Sequence, residues 1–481
     1  MGRDYVSSPM ITTHDIQQAR RAYQSDNPQP ARRLLLSRNW QPIQNPQLLS
    51  SLSDLAFEIE ETTTAFHILQ HILQQNPTEA APHLRLGQAL RRTGRPQEAL
   101  PYLTDAYQIE PNNEQTGYEL ALVLEDLQKY EEALKYARLA LRQKPDDADL
   151  LNIVASNLCN LGRPTEAIPL YVKAIEREPD FHALSFNLSQ ALLQAGQWAE
   201  GWRFFDFRLV LRPPEKRPET NAPLWKGEPL GGKSILIWQE QGFGDTVQFL
   251  RFLPVLVDRG TQVTVLLNRQ LISLAEANFP DCTFLDQRTT PPTTDFQLPI
   301  LSLARRLSLN DPNMLTGEAY LSVPQHENSS VSRKLQVGLV WAGNPNHPDD
   351  HRRSLPPDEL LPLLQLPQIT WYSLQVGRHE WAGKHSQVQD LRPELTDFLA
   401  TAKKINEMDL IISVDTAVGH LAGALGKRIW LLLDYAADWR WGTKEDKTVW
   451  YQTMRLFRQP SPGDWAGLVQ KVRHTLEKYP R

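Results

Sequence analysis

The chain is short of cysteine, with only Cys159 and Cys282 among 481 residues. Two thiols can build neither a disulfide framework nor a structural zinc site, so a reducing compartment fits best. A surplus of one charge is also lacking: 51 basic against 56 acidic side chains leave a formal net charge of -5. A general nucleic-acid or anionic-membrane binder would carry a basic excess, so neither class is expected. Long apolar runs are missing as well. The longest, such as Ile429 to Leu433, are of buried-strand length, far from the ~20 residues that span a bilayer. The opening stretch, MGRDYVSSPMITTHDIQQAR, has no apolar signal core, and Val6 stands where a myristoylation motif needs Ser or Thr. A soluble cytoplasmic protein with no membrane span is the expectation. Tryptophan is scarce in one part only: of 13, Trp40 alone precedes Trp198, and the other 12 lie between Trp198 and Trp465. So sharp a break suggests two architectures within a chain long enough for two to four domains.

What fills the tryptophan-poor part is a repeat. Pro77, Pro111, Pro145 and Pro179 recur every 34 residues, in register with Ala31, Ala65, Ala99, Ala133, Ala167 and Gly201. Ala106, Ala140 and Ala174 follow seven residues after their partners in that second series. Gly94, Gly162 and Gly196 fall where a turn between helices is expected, with Gln128 in place of glycine once. This pattern resembles the tetratricopeptide repeat over about residues 14 to 210. Small residues let paired helices approach, and proline ends the second helix of each pair. Each pair buries its apolar face only by stacking on neighbours, so an all-α solenoid with a concave groove follows. Such a groove commonly takes an extended peptide or a protein. A spacer or a dimerisation arm is the plainer alternative, and a homodimer is compatible with it. The acidic cluster Asp146, Asp147 and Asp149 mimics a DxD metal motif, yet it follows Pro145 at a repeat boundary, where aspartate caps the next helix.

Residues 211–232 form a proline-rich linker, with Pro213, Pro214, Pro218, Pro223 and Pro229 among charged neighbours and Trp225 to pack it. Short β-rich runs then alternate with helices. Residues 233–333 offer strands over Ser234 to Gln239 and Gln262 to Leu267 and near Thr283 and Gln297, with helices over Asp245 to Asp258 and Arg269 to Asn278. Residues 334–481 restart with strands over Gln336 to Trp341, Ile369 to Val376, Leu410 to Val414 and Arg428 to Leu433. Helices are expected there near Asp358 to Leu364, Thr396 to Glu407, Ala417 to Leu425 and Asp464 to Lys478. Alternation of this kind implies two α/β, Rossmann-like units with parallel sheets facing a cleft. Ligands bind outside the carboxyl ends of such strands, so residues just after strands carry the most information.

After the first strand comes Glu240-Gln241-Gly242-Phe243-Gly244-Asp245-Thr246. Gly242 and Gly244 allow a tight turn opening a helix, but Val247 rules out a dinucleotide fingerprint. Asp245 reads either as a general base aimed into the cleft or as a first-turn aspartate favoured by the helix dipole. After LIISV comes Asp415-Thr416-Ala417-Val418-Gly419-His420. Asp415 and Thr416 can cap the helix, whose free amides suit a diphosphate, and His420 lies one turn further along the face of Thr416. His420 reads equally as a packed histidine. After QVGLVW, Arg352 and Arg353 sit on a loop where arginines clamp phosphate. The stretch His347-Pro348-Asp349-Asp350-His351 has a metal-site composition, which its basic neighbours oppose, so no metal is expected. Trp439, Trp441, Trp450 and Tyr451 follow the last anticipated strand and read as base-stacking or, more simply, as packing.

Together QGFGD, WAGNP with HRRS, and SVDTAVGHLAGALGK resemble family 9 glycosyltransferases, the heptosyltransferase-like enzymes of GT-B fold, over about residues 233 to 475. The tail DWRWGTKEDKTVWYQTMRLFRQ resembles that of bacterial proteins fusing tetratricopeptide repeats to such a domain, some of which modify proteins such as flagellins. The resemblance implies a metal-independent, inverting transfer of a sugar from a nucleotide donor, with no further cofactor. Asp245 takes the place of the proposed base. Asp415, Thr416, Ala417 and His420 would hold the donor diphosphate and sugar, Arg352 or Arg353 would neutralise the leaving diphosphate, and Gln375 would touch the donor. The acceptor expected is a protein recruited by the repeat groove. A catalytically inert scaffold, or transfer to a glycan or lipid precursor, is the alternative.

Overall fold

The computed structural model describes residues 11–37, 40–211, 217–324 and 334–479, and packing divides the chain after Asn157 into two compact units. Val6, the linker prolines Pro213 and Pro214, and residues 325–333 lie outside the described residues.

The first unit is made of helix pairs. Pro46–Glu58 packs on Thr62–Gln75, Ala80–Arg92 on Pro96–Ile109, and Glu114–Asp126 on Tyr130–Gln143. The series Ala31, Ala65, Ala99 and Ala133 is wholly buried, as close helix approach requires. Gly87 goes further, because any Cβ there would run into the Leu103 side chain. Pro77, Pro111 and Pro145 each stand two residues beyond a helix end, where a missing N–H costs the helix nothing. Asn45 and Asn113 cap helices through their side-chain oxygens. Asp147 does the same for the amide of Leu150 at 3.0 Å, the capping role expected at this repeat boundary. The turn register holds a finding the sequence hid. Asp26, Glu60, Gly94 and Gln128, each 34 residues apart, all adopt φ between 59° and 74°. Left-handed backbone favours glycine, yet three of these four turns hold a larger residue in it, so the helix pair dictates the turn.

The second unit begins with the last helices of the repeat register, Pro164–Arg177, His182–Gln194 and Trp198–Phe205. Gly201 replaces the series alanine because its Cβ would lie 2.8 Å from the Leu193 side chain. The linker is anchored through its backbone. Pro223 and Trp225 exchange backbone hydrogen bonds with Gln297, and Trp225 is buried.

Two parallel sheets follow. The first contains β1 (Ser234–Trp238), β2 (Gln262–Leu267), β3 (Cys282–Asp286) and β4 (Phe296–Pro299) in the order β3-β2-β1-β4. The second contains β5 (Leu335–Val340), β6 (Ile369–Ser373), β7 (Val388–Asp390), β8 (Leu410–Val414), β9 (Ile429–Leu433) and β10 (Met454–Arg458), ordered β10-β9-β8-β5-β6-β7. β8 and β9 are buried along their whole length, the mark of a sheet covered on both faces. Two strands escaped the sequence reading: β7 has only three residues, and β10 (MRLFR) carries arginines suited to an edge. The tryptophan segment therefore follows β9 but precedes β10, so it is an internal loop. The helix expected over Asp245 to Asp258 is broken into Phe243–Leu250 and Leu253–Val257. In both sheets the chain reverses its direction of growth, between β1 and β4 and between β5 and β8. At such switch points neighbouring loops leave in opposite directions and open a crevice for ligands.

Candidate functional site

Asp245 lies at one switch point, on the first turn of the helix that follows β1. One carboxylate oxygen accepts the Gly242 amide at 3.1 Å, so it does serve the helix start. The other accepts Arg440 Nη2 at 2.6 Å, a group 195 residues away. Gly244 is required by a close approach: a Cβ there would sit 2.7 Å from His420 Cδ2 on the helix Ala417–Ala424. The two helices behind β1 and β8 thus pack directly on each other.

At the second switch point the expected caps are absent. Neither Asp415 nor Thr416 bonds a helix amide through its side chain. The Thr416 hydroxyl pairs with that of Ser413 at 3.0 Å, and Asp415 Oδ2 accepts the Trp441 ring N–H at 2.8 Å. The first-turn amides therefore stay uncovered by side-chain caps, which suits an anion. His420 is buried, with Nδ1 hydrogen-bonded to the Tyr451 hydroxyl at 2.9 Å and Nε2 3.8 Å from Asp415. Ala417 touches the Gly244 position, 3.4 Å from its would-be Cβ. Asp245, Asp415, Ala417 and His420 are thus brought together.

The group that joins them is the loop between β9 and β10, which sequence reasoning weighed only for its tryptophans. Arg440 holds Asp245, donates to Gln248 Oε1 at 2.8 Å and to Asp438 at 2.9 Å, and stacks over Trp439. Burial disfavours its charge, but Asp438 and Asp245 hold its pKa above the ordinary arginine value. His420 is pushed well below the usual imidazole range by burial and by the charges of Arg440 and Arg251, so it is neutral. Arg251 stacks over Tyr320, Trp450 and Tyr451.

Asp415 is pushed up to about 7, by burial first and by the Asp438 charge second, against the Trp441 hydrogen bond, Arg353 and Arg440. Its native state therefore binds a proton more tightly than the unfolded chain does. The stabilisation is full below the unfolded value near 3.8 and drains away as pH rises to about 7. Asp415→Asn keeps an acceptor for Trp441 without the charge. At about 1.4 kcal/mol per pKa unit, it is expected to stabilise the chain by on the order of 4 kcal/mol at mildly alkaline pH and not at all in acid. Urea midpoints measured across that range check this, and a gain independent of pH would count against it.

The loop after β5 brings the remaining candidates to the same crevice. Arg353 lies against Gly343, where a Cβ would be 2.9 Å from Nη2, and its buried Nε has no hydrogen-bond partner among the described residues. Its nearest carboxylate, Asp350, is 4.0 Å away, so the cation is under-used. Arg352 pairs with Asp349 at 3.0 Å and lies 3.9 Å from Asp434. Gln375 is placed differently from its expected role. Its amide accepts from Trp341 and Ala342 and donates to the Ala342 carbonyl, so it fastens the loop instead of facing a ligand. A cavity of about 620 Å³ opens beside this loop, lined among others by Trp341, Pro345, His351, Arg378 and Trp381. His347 accepts the Asp349 amide and His351 bonds the Pro348 carbonyl, each through Nδ1, so one nitrogen of each ring serves the loop itself. The tryptophan segment resolves toward packing: Trp439, Trp441, Trp450 and Tyr451 are all buried.

Comparison with known proteins bears on the repeats most directly. A tetratricopeptide repeat model matches residues 4–206. Protein FlbA of Caulobacter vibrioides is 23% identical, over 82% of this chain and 78% of its own length. The peroxisomal targeting signal receptor of Candida albicans is 28% identical over 100 residues, 20% of this chain and 17% of that protein. Among solved structures, MamA is 18% identical with a TM-score of 0.32, covering 37% of this chain and 97% of that one. YrrB, described as a TPR protein with an unusual peptide-binding site, is 18% identical with a TM-score of 0.31, covering 36% of this chain and 90% of its own. The N-terminal 200 or so residues are tetratricopeptide repeats, and most of the chain is similar to FlbA.

Proposed function

We propose that the chain is a GT-B-type glycosyltransferase that moves a sugar, with inversion and without a metal, from a nucleotide donor to an acceptor hydroxyl. One observation carries this reading: Asp245 and the Asp415–His420 segment, each at the switch point of its own sheet, are drawn together by Arg440 and Trp441. The acceptor oxygen attacks the anomeric carbon, its proton passes to the Asp245 carboxylate, and the bond from that carbon to the diphosphate oxygen breaks. The leaving diphosphate meets Arg353, Arg352 and the amides that open the helix Ala417–Ala424, a set of donors that supplies the charge stabilisation a metal otherwise would. The cavity beside Trp341 and Arg378 has room for the nucleoside. A protein acceptor held by the repeats would contribute binding energy remote from the reacting carbon.

A catalytically inert scaffold is the second reading, favoured by the occupation of both Asp245 oxygens by Gly242 and Arg440. Calorimetric titration with ADP, UDP, GDP, CDP and CMP separates the two. For the transferase, one nucleotide binds saturably, Arg353→Ala weakens it by about tenfold or more, and Asp245→Asn leaves binding intact while abolishing transfer. No binding by any nucleotide to the folded protein would leave the scaffold standing. Transfer products recovered on glycan or lipid, with none on protein, would move the acceptor to that class.

A further inference from the structure

The loop between β9 and β10 has two faces, one toward the site and one toward the last repeat. Arg440 reaches Asp245 and Trp441 reaches Asp415, but Trp439, directly before them, packs edge-on against Trp202 at 5.4 Å and 89°. Tyr451 bonds His420, and Trp450, directly before it, stacks on Trp198 at 5.2 Å and 25°. Trp198 and Trp202 belong to the last helix of the repeat register, Trp198–Phe205. Phe205 adds a second contact to Trp439, and the helix His182–Gln194 lies against the Trp439–Trp441 turn. Each residue that touches the site is thus one or two peptide units from a residue clamped by the last repeat.

We infer that Trp202 and Trp198 are positioning residues of the site, setting through Trp439 and Trp450 the loop that holds Asp245, Asp415 and His420. Among the described residues the ring N–H groups of Trp202 and Trp450 have no acceptor, so the contact is one of aromatic shape. A one-ångström displacement of Trp439 is carried by the peptide chain directly to Arg440 and Trp441. The last repeat is therefore a wall of the site and not an appended arm. This holds whether or not the chain transfers a sugar, because it concerns the surroundings of Asp415.

The test reads those surroundings in the full chain. The groups facing Asp415 are Asp438, Arg440 and Trp441 from the loop, Arg353 from the loop after β5, and His420 from its own helix. The Trp441 ring N–H, assigned by Trp441→Phe, reports Asp415 ionisation in two-dimensional NMR through its direct hydrogen bond. In the wild type its shift is expected to titrate with a midpoint of about 7. Trp202→Phe keeps the aromatic contact and should leave that midpoint in place. Trp202→Ala frees the loop and admits water, so the midpoint should fall by about one unit or more toward the ordinary carboxylate range. Leu271→Ala, a cavity in the helix Arg269–Asn278, is the control for lost stability alone and should not move it. If Trp202→Ala fails to fold, Trp202→Leu takes its place under the same criteria. An unchanged midpoint in the Trp202 variant, or an equal fall in Leu271→Ala, overturns the inference.

Discussion

Replacing Arg440 by methionine is expected to destabilise the chain by about 3 to 5 kcal/mol at neutral pH, the usual cost of leaving buried charge unpaired. The arginine side chain is only 8% exposed, yet it serves Asp245 and Asp438 at once and lies near Asp415. Methionine keeps the stem that packs over Trp439 and removes the cation. Three carboxylates then share a small region after losing their common cation, with Arg353 still near Asp415, and the already raised Asp415 pKa climbs further. A raised folded value means that acidification restores what the substitution took, so the penalty should shrink steadily toward pH ~4. Arg440→Lys keeps a charge without the planar fork and should fall between. Urea unfolding at neutral and acidic pH provides the check. A loss under about 1 kcal/mol at neutral pH would show that solvent at Asp438, 38% exposed, screens the cluster and that the arginine is not needed to hold it.

The parts of this molecule that could be read from sequence are those whose cause is local. A 34-residue period announces helix pairs because every repeat must bury the same small residue and end at the same proline. The turns were only half legible: Asp26 and Glu60 share the left-handed register of Gly94, but neither is the glycine that marks such a turn. Asp245, Asp415 and His420 were legible because a strand ends just before each segment, and ligand crevices lie at strand ends. Arg440 and Tyr451 were not, since their partners stand 195 and 31 residues away and neither spacing has a pattern. Gln375 sits where a ligand contact is expected, at the end of β6, yet the neighbouring loop uses both ends of its amide. Trp202 was legible only as half of a compositional break. Its role depends on a loop from the far end of the chain.

Removing Arg208 should be as costly, and a double variant shows why it is there. Arg208 is 3% exposed and Glu240 2%, joined by two hydrogen bonds of 3.0 and 2.6 Å. Arg208 also donates to Asp206, Ser302 and the Phe205 carbonyl. Against burial, Arg208, Ser302 and Arg306 hold the Asp206 carboxyl below its usual range. This network ties the end of the repeat register to the loop that carries Asp245, since Glu240 opens the Glu240–Gly244 turn and also accepts the Leu301 amide. Arg208→Met should cost about 3 to 5 kcal/mol because the buried Glu240 carboxyl loses the cation that opposes its desolvation. Arg208→Met combined with Glu240→Leu removes both charges together and should recover most of that loss, giving a coupling of about 2 kcal/mol or more in a double-mutant cycle. Additive losses would mean that Glu240 is supported by Leu301 and water without the arginine. Recovery of stability without recovery of the Asp245–Arg440 pair would show instead that an ion pair buried at this cost is kept to place the Asp245 turn, because an apolar pair of the same volume stabilises equally well but fixes no register.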